Sequence, residues 1–491
     1  MKAIFIITLI PIFTINILVA QNSSVVWGNL FKQPIYTQTS AFLAGTSEAR
    51  FLRKDILTKY TFWLNRTTPY KITLESENHF ILNKFDSNNN LIFSKELNML
   101  DFPERATSLI RVEEILTFKD KFIILVTSYD KKKSTYAFYL HEVNFDGTLT
   151  GKNNKVTEIQ SNNRINRISL AMSPDSSKIL VSILDDNIKI AVMKSDLSTT
   201  YFKVLHQQKK ECELLFSWLS DVRLSIDNQS RIFFLSRNNL YRSRYSTALY
   251  TYHFPTNHLE ETILDLGENT MIDDCVFHMD KSDQMAIVGF YTTEKKPLLI
   301  EGSFYLHLNA ATTKIESVSK AAFPLGETST FQTINCITPD DGSIILQYEY
   351  VDFRSTVPIF ENEIRIACYD KNGMLIYHSI VYKAQWFMEY SGYASTYNKD
   401  DKKLYIIFND AKENVATNKK EHLKKMGRDP VPVLVTIDSL GSIHKKQLFD
   451  KVDPKIAICP YLTFQNSTNE WNIWGVEKIK NYRLGTLKFN E

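Results

Sequence analysis

The chain has 491 residues, is 44% hydrophobic and 23% charged, and carries a formal net charge of +3. That composition is ordinary for a globular protein and excludes disordered, collagen-like and disulfide-dense classes. A charge balance this close to neutral gives no overall footprint for nucleic acid or an acidic membrane surface, so neither is expected as a partner.

Residues 1–20 have the pattern of a secretory signal. Lys2 is the positive start, Ala3 to Ile10 and Ile12 to Val19 are mostly apolar, and Ala20 is a small residue suited to cleavage before Gln21. Pro11, Thr14 and Asn16 interrupt the run, which argues against a membrane anchor. No later stretch is apolar enough for a transmembrane helix, so the mature chain is expected to be soluble, secreted or periplasmic. Sequons stand at Asn22, Asn65, Asn228 and Asn466.

Beyond the signal, short β-type runs recur to the end of the chain. Eight look like one strand repeated, beginning at Tyr60, Phe122, Ile179, Ile232, Met285, Ile344, Leu404 and Trp471. They are rich in β-branched and aromatic residues and nearly continuous in apolar character, as strands buried on both faces are. A polar turn precedes each, from Asp55 and Asp120 through Asp340 and Asp400 to Asn469, at steps of 53 to 69 residues.

A second series of turns follows the next strand in each unit. Asp86 to Asn90, Asp146-Gly147, Asp370 to Gly373 and Asp438 to Gly441 are clear hairpin turns, and weaker ones sit near Asp196, Asn257 and Asn309. From 86 to 438 the series takes six steps of about 59 residues. One further step overruns Glu491 at the C-terminal end, and one step backwards falls just after the signal. The last unit therefore supplies three strands, near Cys459 to Phe464, Trp471 to Val476 and Arg483 to Phe489. Its outer strand is expected from the N-terminus, around Val25 to Ile35. The fold expected is all-β: an eight-bladed β-propeller with four-stranded blades, residues 21–491 forming one domain. Seven blades is the alternative if one weak turn is miscounted.

Ser173-Pro-Asp-Ser-Ser-Lys-Ile179, and more loosely Thr338-Pro-Asp-Asp-Gly-Ser-Ile344, resemble the inner turn of TolB-like and WD40-like propeller blades. The resemblance implies the fold and leaves function open, since propellers host many functions. The Gly-His and Trp-Asp signature of true WD40 repeats is missing, as is the sialidase box.

In a propeller, connections between the second and third strands, and from each outer strand to the next blade, share one loop-rich face, which usually carries the site. Three connections there stand out for Arg beside aromatic rings, a mixture enriched at recognition surfaces. They are Ser236 to Ser246 with Arg242 and Tyr245, Tyr348 to Asn362 with Arg354, and Tyr382 to Tyr393 with Trp386 and Tyr390. These five residues are the candidate binding site. The same face should carry a charged insertion at 410–430, expected to be helical, with Lys412, Lys419, Lys420, Lys424, Lys425 and Arg428 against Glu413 and Glu421.

Catalytic motifs are not legible: there is no HExxH, no GxSxG and no phosphate loop. The five cysteines come no closer than Cys336 and Cys368, which rules out a CxxC zinc or redox motif. His79, His141, His253 and His307 fall in expected strands, where a structural role is anticipated. Asp185-Asp186 and Asp273-Asp274 are read as turn formers at loop ends. No catalytic residue, metal ligand or cofactor is assigned. The reading is a monomeric binding module for a protein, peptide or glycan. The alternatives are a hydrolase or lyase acting on polysaccharide or peptide, and a structural component of an envelope assembly.

Overall fold

The computed structural model describes residues 23–489, apart from 57–78, 103–108, 161–166, 206–211, 215–223, 280–284, 294–299, 324–330, 353–359, 387–391, 450–455 and shorter gaps. The signal segment thus lies outside the described residues. Among those described, no helix is long and apolar enough to cross a membrane.

Eight antiparallel sheets follow one another along the chain. In blade two the order from the inside outwards is Leu109–Thr117, Lys121–Asp130, Thr135–Asn144 and Leu149–Gln160. Blades one, three, five, six and seven repeat that four-strand meander. In blades four and eight the innermost strand is split in two, as Cys212–Leu214 with Leu224–Ile226, and as Ala457–Ile458 with Phe464–Ser467. The count of eight excludes the seven-blade alternative.

The apolar runs found in the sequence are the second strands of blades two to eight, and the structure explains their continuity. In blade four, Ile232 and Phe234 pack towards blade three, whereas Phe233 and Leu235 pack towards blade five. A strand sandwiched between neighbours has no solvent face, so the usual period-two alternation disappears. Eight hydrophobic clusters result, each joining one pair of adjacent blades. The last of them sets Phe85 of blade one against Trp474 and Leu484 of blade eight. The ring is closed, and the molecule is an eight-bladed β-propeller.

Blade one departs from expectation. Its second strand is Ala49–Ile56, and the run at Tyr60 lies outside the described residues. The sequence Ala-Arg-Phe-Leu-Arg-Lys-Asp-Ile is rich in charge, so it does not stand out as a buried strand.

The closing strand falls where the spacing puts it. Ser23–Trp27 pairs antiparallel with Asn481–Phe489, from Ser23 opposite Phe489 to Trp27 opposite Gly485, and Phe31–Lys32 extends the pairing to Tyr482 and Asn481. The outer strand of the last blade is therefore N-terminal, which hides two edges that would otherwise be open to pairing. Cys275, Cys368 and Cys459 are buried and Cys336 is half-buried. Burial pushes the Cys368 thiol up to about 12.

Candidate binding face

All seven hairpins between third and fourth strands lie on one face together with the turns between first and second strands. This tight-turn face is opposite the loop-rich one. On the loop-rich face, two of the connections singled out in the sequence are longer hairpins than expected. Arg231–Leu240 and Arg244–His253 pair as far as Leu240 opposite Arg244, which places Tyr245 opposite Asn239 on a strand rather than in a loop. In blade six, Ile344–Asp352 and Phe360–Tyr369 pair as far as Asp352 opposite Phe360, and Trp386 ends the outer strand opposite Phe360. Cross-strand pairing explains both extensions, because each added pair satisfies backbone groups that a loop must leave to water. Tyr245 and Trp386 thus stand on the same face, two blades apart. Arg242, Arg354 and Tyr390 lie outside the described residues. Asp273-Asp274 is not a loop end: it sits inside Thr270–Met279 at a bulge, where an Asp274 carboxylate oxygen accepts the Cys275 N–H at 2.9 Å. Asp185 and Asp186 lie outside the described residues.

The insertion in blade seven is fully placed from Ala411 to Met426. It is not the expected helix but two short 3-10 turns, Lys412–Ala416 and Lys420–His422, joined by extended chain. Asn414 accounts for this. Its buried amide donates to the Asp410 carboxylate at 2.7 Å and to the Lys424 carbonyl at 2.7 Å, and its Oδ1 accepts the Lys424 N–H at 2.8 Å. Pinning residue 424 to residue 414 in this way is incompatible with one continuous helix, and a lone helix of this length would be marginal in any case. Asn418 makes a second clamp, donating to the Ile380 carbonyl at 2.9 Å and accepting the Tyr382 N–H at 3.0 Å. A third tie runs from the Met426 N–H to the Ala384 carbonyl at 3.0 Å. The insertion is thereby fastened along the outer strand of blade six.

Above these anchors the loop presents charge. Lys412, Lys419, Lys420, Lys424 and Lys425 are exposed, against exposed Glu413 and Glu421. Glu413 comes only within 3.9 Å of Lys424.

Beneath the loop lies a buried polar layer that sequence reasoning missed. Lys383, which is fully buried, pairs with Glu349 and donates to Gln385. The Gln385 amide donates to the carbonyls of Asn409 at 2.7 Å and Gly392 at 3.2 Å, and accepts the Gly392 N–H at 3.0 Å. Asn409 joins blade seven to blade eight through both backbone groups of Ile458, at 2.7 and 3.0 Å. Burial raises the Asp410 carboxyl above the usual carboxylate range, although it accepts the Asn414 amide and the Ala411 N–H. Burial also lowers the Lys445 ammonium, which donates to the Tyr382 and Thr417 carbonyls at 2.8 and 3.1 Å. Tyr393 is pushed well above its normal value, by burial first and Glu349 second. Gln385, Asn409, Asp410 and Lys445 are all bonded to backbone, so these four fix connections of the loop-rich face in place. The layer's one sequence signal is parity: Lys383 and Gln385 continue the inward-facing series of Tyr377, Ser379 and Val381. Among the described residues, no three His, Cys, Asp or Glu side chains converge in a way that could hold a metal.

No protein-family model matches the chain, and no curated protein matches it. The chain is similar in structure to the WD40 domain of SCAP from fission yeast, at 10% identity over 94% of this chain and 98% of that one, with a TM-score of 0.34. It is also similar to the β-propeller domain of the Trilobed protease from Pyrococcus furiosus, at 10% identity over 86% and 98%, TM-score 0.35. A third is the polysaccharide lyase Uly1, at 9% identity over 93% and 100%, TM-score 0.37. Likenesses this distant say nothing of activity.

Proposed function

We propose that this propeller is an exported binding module that recognises a protein, peptide or glycan through its loop-rich face. The observation that carries the reading is the loop 411–426, which is pinned by the buried Asn414 and the half-buried Asn418 while it exposes five lysines against two glutamates. A pre-ordered loop loses little conformational entropy on binding, so its contacts are not offset by the cost of ordering. The whole chain is nearly neutral at +3, which makes this a local patch rather than part of a general field. Lysines on flexible stems suit the spread charge of an acidic chain better than one fixed carboxylate. On the same face the strand ends of blades four and six carry Tyr245 and Trp386, residue types enriched at recognition surfaces.

The reading is tested by applying the mature chain to arrays of acidic peptides and acidic glycans, alongside a K412E/K419E/K424E variant. Supporting results are a salt-sensitive set of ligands for the wild type and loss of that set in the variant. Identical binding by both, or binding indifferent to salt, rejects the loop as the docking element.

A further inference from the structure

A cavity of about 760 Å³ opens at the other end of the propeller axis, on the tight-turn face. Its described walls come from four consecutive blades. Met172 and Met279 end the innermost strands of blades three and five, Ile226 ends that of blade four, and Phe277 lies two residues before Met279. Pro174 and Pro339, the prolines of the two Pro-Asp inner turns, complete the apolar wall.

The acidic residues of those turns do not neutralise this character, because they are engaged elsewhere. Asp175 accepts the Ser173 hydroxyl at 2.6 Å and the Ser177 N–H at 3.0 Å. Asp341 accepts the Ser343 N–H at 2.9 Å and hydroxyl at 2.6 Å. Asp340, at the rim, is paired with Lys399 at 3.0 Å. Pro174 and Pro339 face the cavity from these turns, with Asp340 and Gly342 beside Pro339. The polar features of the wall are Ser225 on the inner strand of blade four, Asp340 at the rim, and the contact of Thr338 Oγ1 with His278 Nδ1 at 3.3 Å, which joins blades five and six.

A chamber of this size is within the range of small-molecule sites, which are mainly apolar with a few placed polar groups. Two methionines beside a phenylalanine make an adaptable, polarisable lining that fits aromatic or branched guests. From this geometry we infer a second binding site, for a small, neutral, mainly apolar molecule with one hydrogen-bonding group that meets the Thr338–His278 pair. The site is independent of the loop-rich face and stands or falls separately from it.

The probe is Nile red, a neutral apolar dye, titrated into the mature folded chain while methionine methyl resonances are followed by NMR. Single M172L and M279L changes, conservative in volume, assign the two signals. The expected result is saturation at one dye per chain, with shifts at Met172 and Met279. Met374, exposed in the hairpin turn before the outer strand of blade six, should stay unchanged. A folded M279W variant, which sets a bulkier, rigid ring where Met279 lines the wall, should weaken the dye at least about tenfold. Failure to saturate, or saturable shifts that spare Met172 and Met279, overturns the inference. The wild-type titration decides this even if the tryptophan variant does not fold.

Discussion

The Trp27 indole packs against Gly485, its pairing partner in the closing blade, and a Cβ added to that glycine would come within 2.5 Å of the ring. The ring also covers Gly475 on the neighbouring strand, where a Cβ would meet it at 2.7 Å. Two glycines on adjacent strands thus make the seat into which the N-terminal strand fits. Gly485→Ala should cost about 2 kcal/mol through overpacking. Trp27→Ala should cost a similar amount, and in the double variant the clash is gone, so the two effects should add to less than their sum. Urea unfolding of the four proteins checks this; full additivity would mean that the ring and the glycine do not meet.

The asparagine clamp makes a local prediction. With Asn414→Ala, the Lys424 N–H and carbonyl lose their partner, and the Asp410 carboxylate loses a donor. Amide exchange at Lys424 and Met426 should accelerate about a hundredfold, equivalent to roughly 3 kcal/mol of local opening free energy. Exchange in the second strands of distant blades should not change. Unchanged exchange at Lys424 would show that the loop is held by something other than Asn414.

Turn conformation supplies a stabilising change. Lys402 is exposed in the inner turn of blade seven, with φ of 53°. A left-handed conformation costs an L-residue roughly 1–2 kcal/mol, part of which glycine returns through the greater freedom of its unfolded chain. Lys402→Gly should therefore raise stability by about 0.5–1 kcal/mol in chemical denaturation. A loss would mean that the Lys402 side chain makes contacts worth more than the strain.

The same geometry explains what could be read in advance. Each of the seven outer hairpins contains a residue with positive φ. In the four clear turns it is Asn89, Gly147, Gly373 or Gly441, residues that favour that conformation. In two of the three weak turns it is Leu197 or Thr313, which carry no such signal, and in the third it is Asn257 without a neighbouring glycine. Blade number, ring closure and the N-terminal outer strand were legible because a repeat averages over such exceptions. The binding face was legible only as composition. The Asn414 and Asn418 clamps depend on partners ten and 38 residues away, and the cavity draws on four blades, so no local pattern announces either. The expected helix failed for the same reason: helical propensity is local, and a single buried amide outweighs it.

Acid should weaken the fold through two histidines. Burial holds His141 down to about 4, where its ring packs edge-on to Phe102 with centroids 5.0 Å apart. His378, stacked on Phe323, is also lowered to about 4, by burial first and by Arg365 second. In the unfolded chain both titrate near 6.5, so the unfolded state binds more protons as pH falls below that value. Stability is complete above about 6.5 and declines down to about 4, below which these two groups add no further slope. Denaturant midpoints between those limits should fall, and the decline should be shallower in His141→Met and His378→Met. An identical slope in both variants would assign the acid sensitivity to other groups.

If recognition runs through the loop-rich face, hydroxyl-radical footprinting of the chain with the tightest ligand from the acidic arrays shows it most directly. Protection should concentrate on residues 411–426 and on the end of the outer strand of blade six at Trp386, and the inner turns at 173–177 and 338–343 should stay as reactive as in the free protein. Protection of those inner turns with the 411–426 loop unchanged would contradict the assignment and move recognition to the opposite end of the propeller.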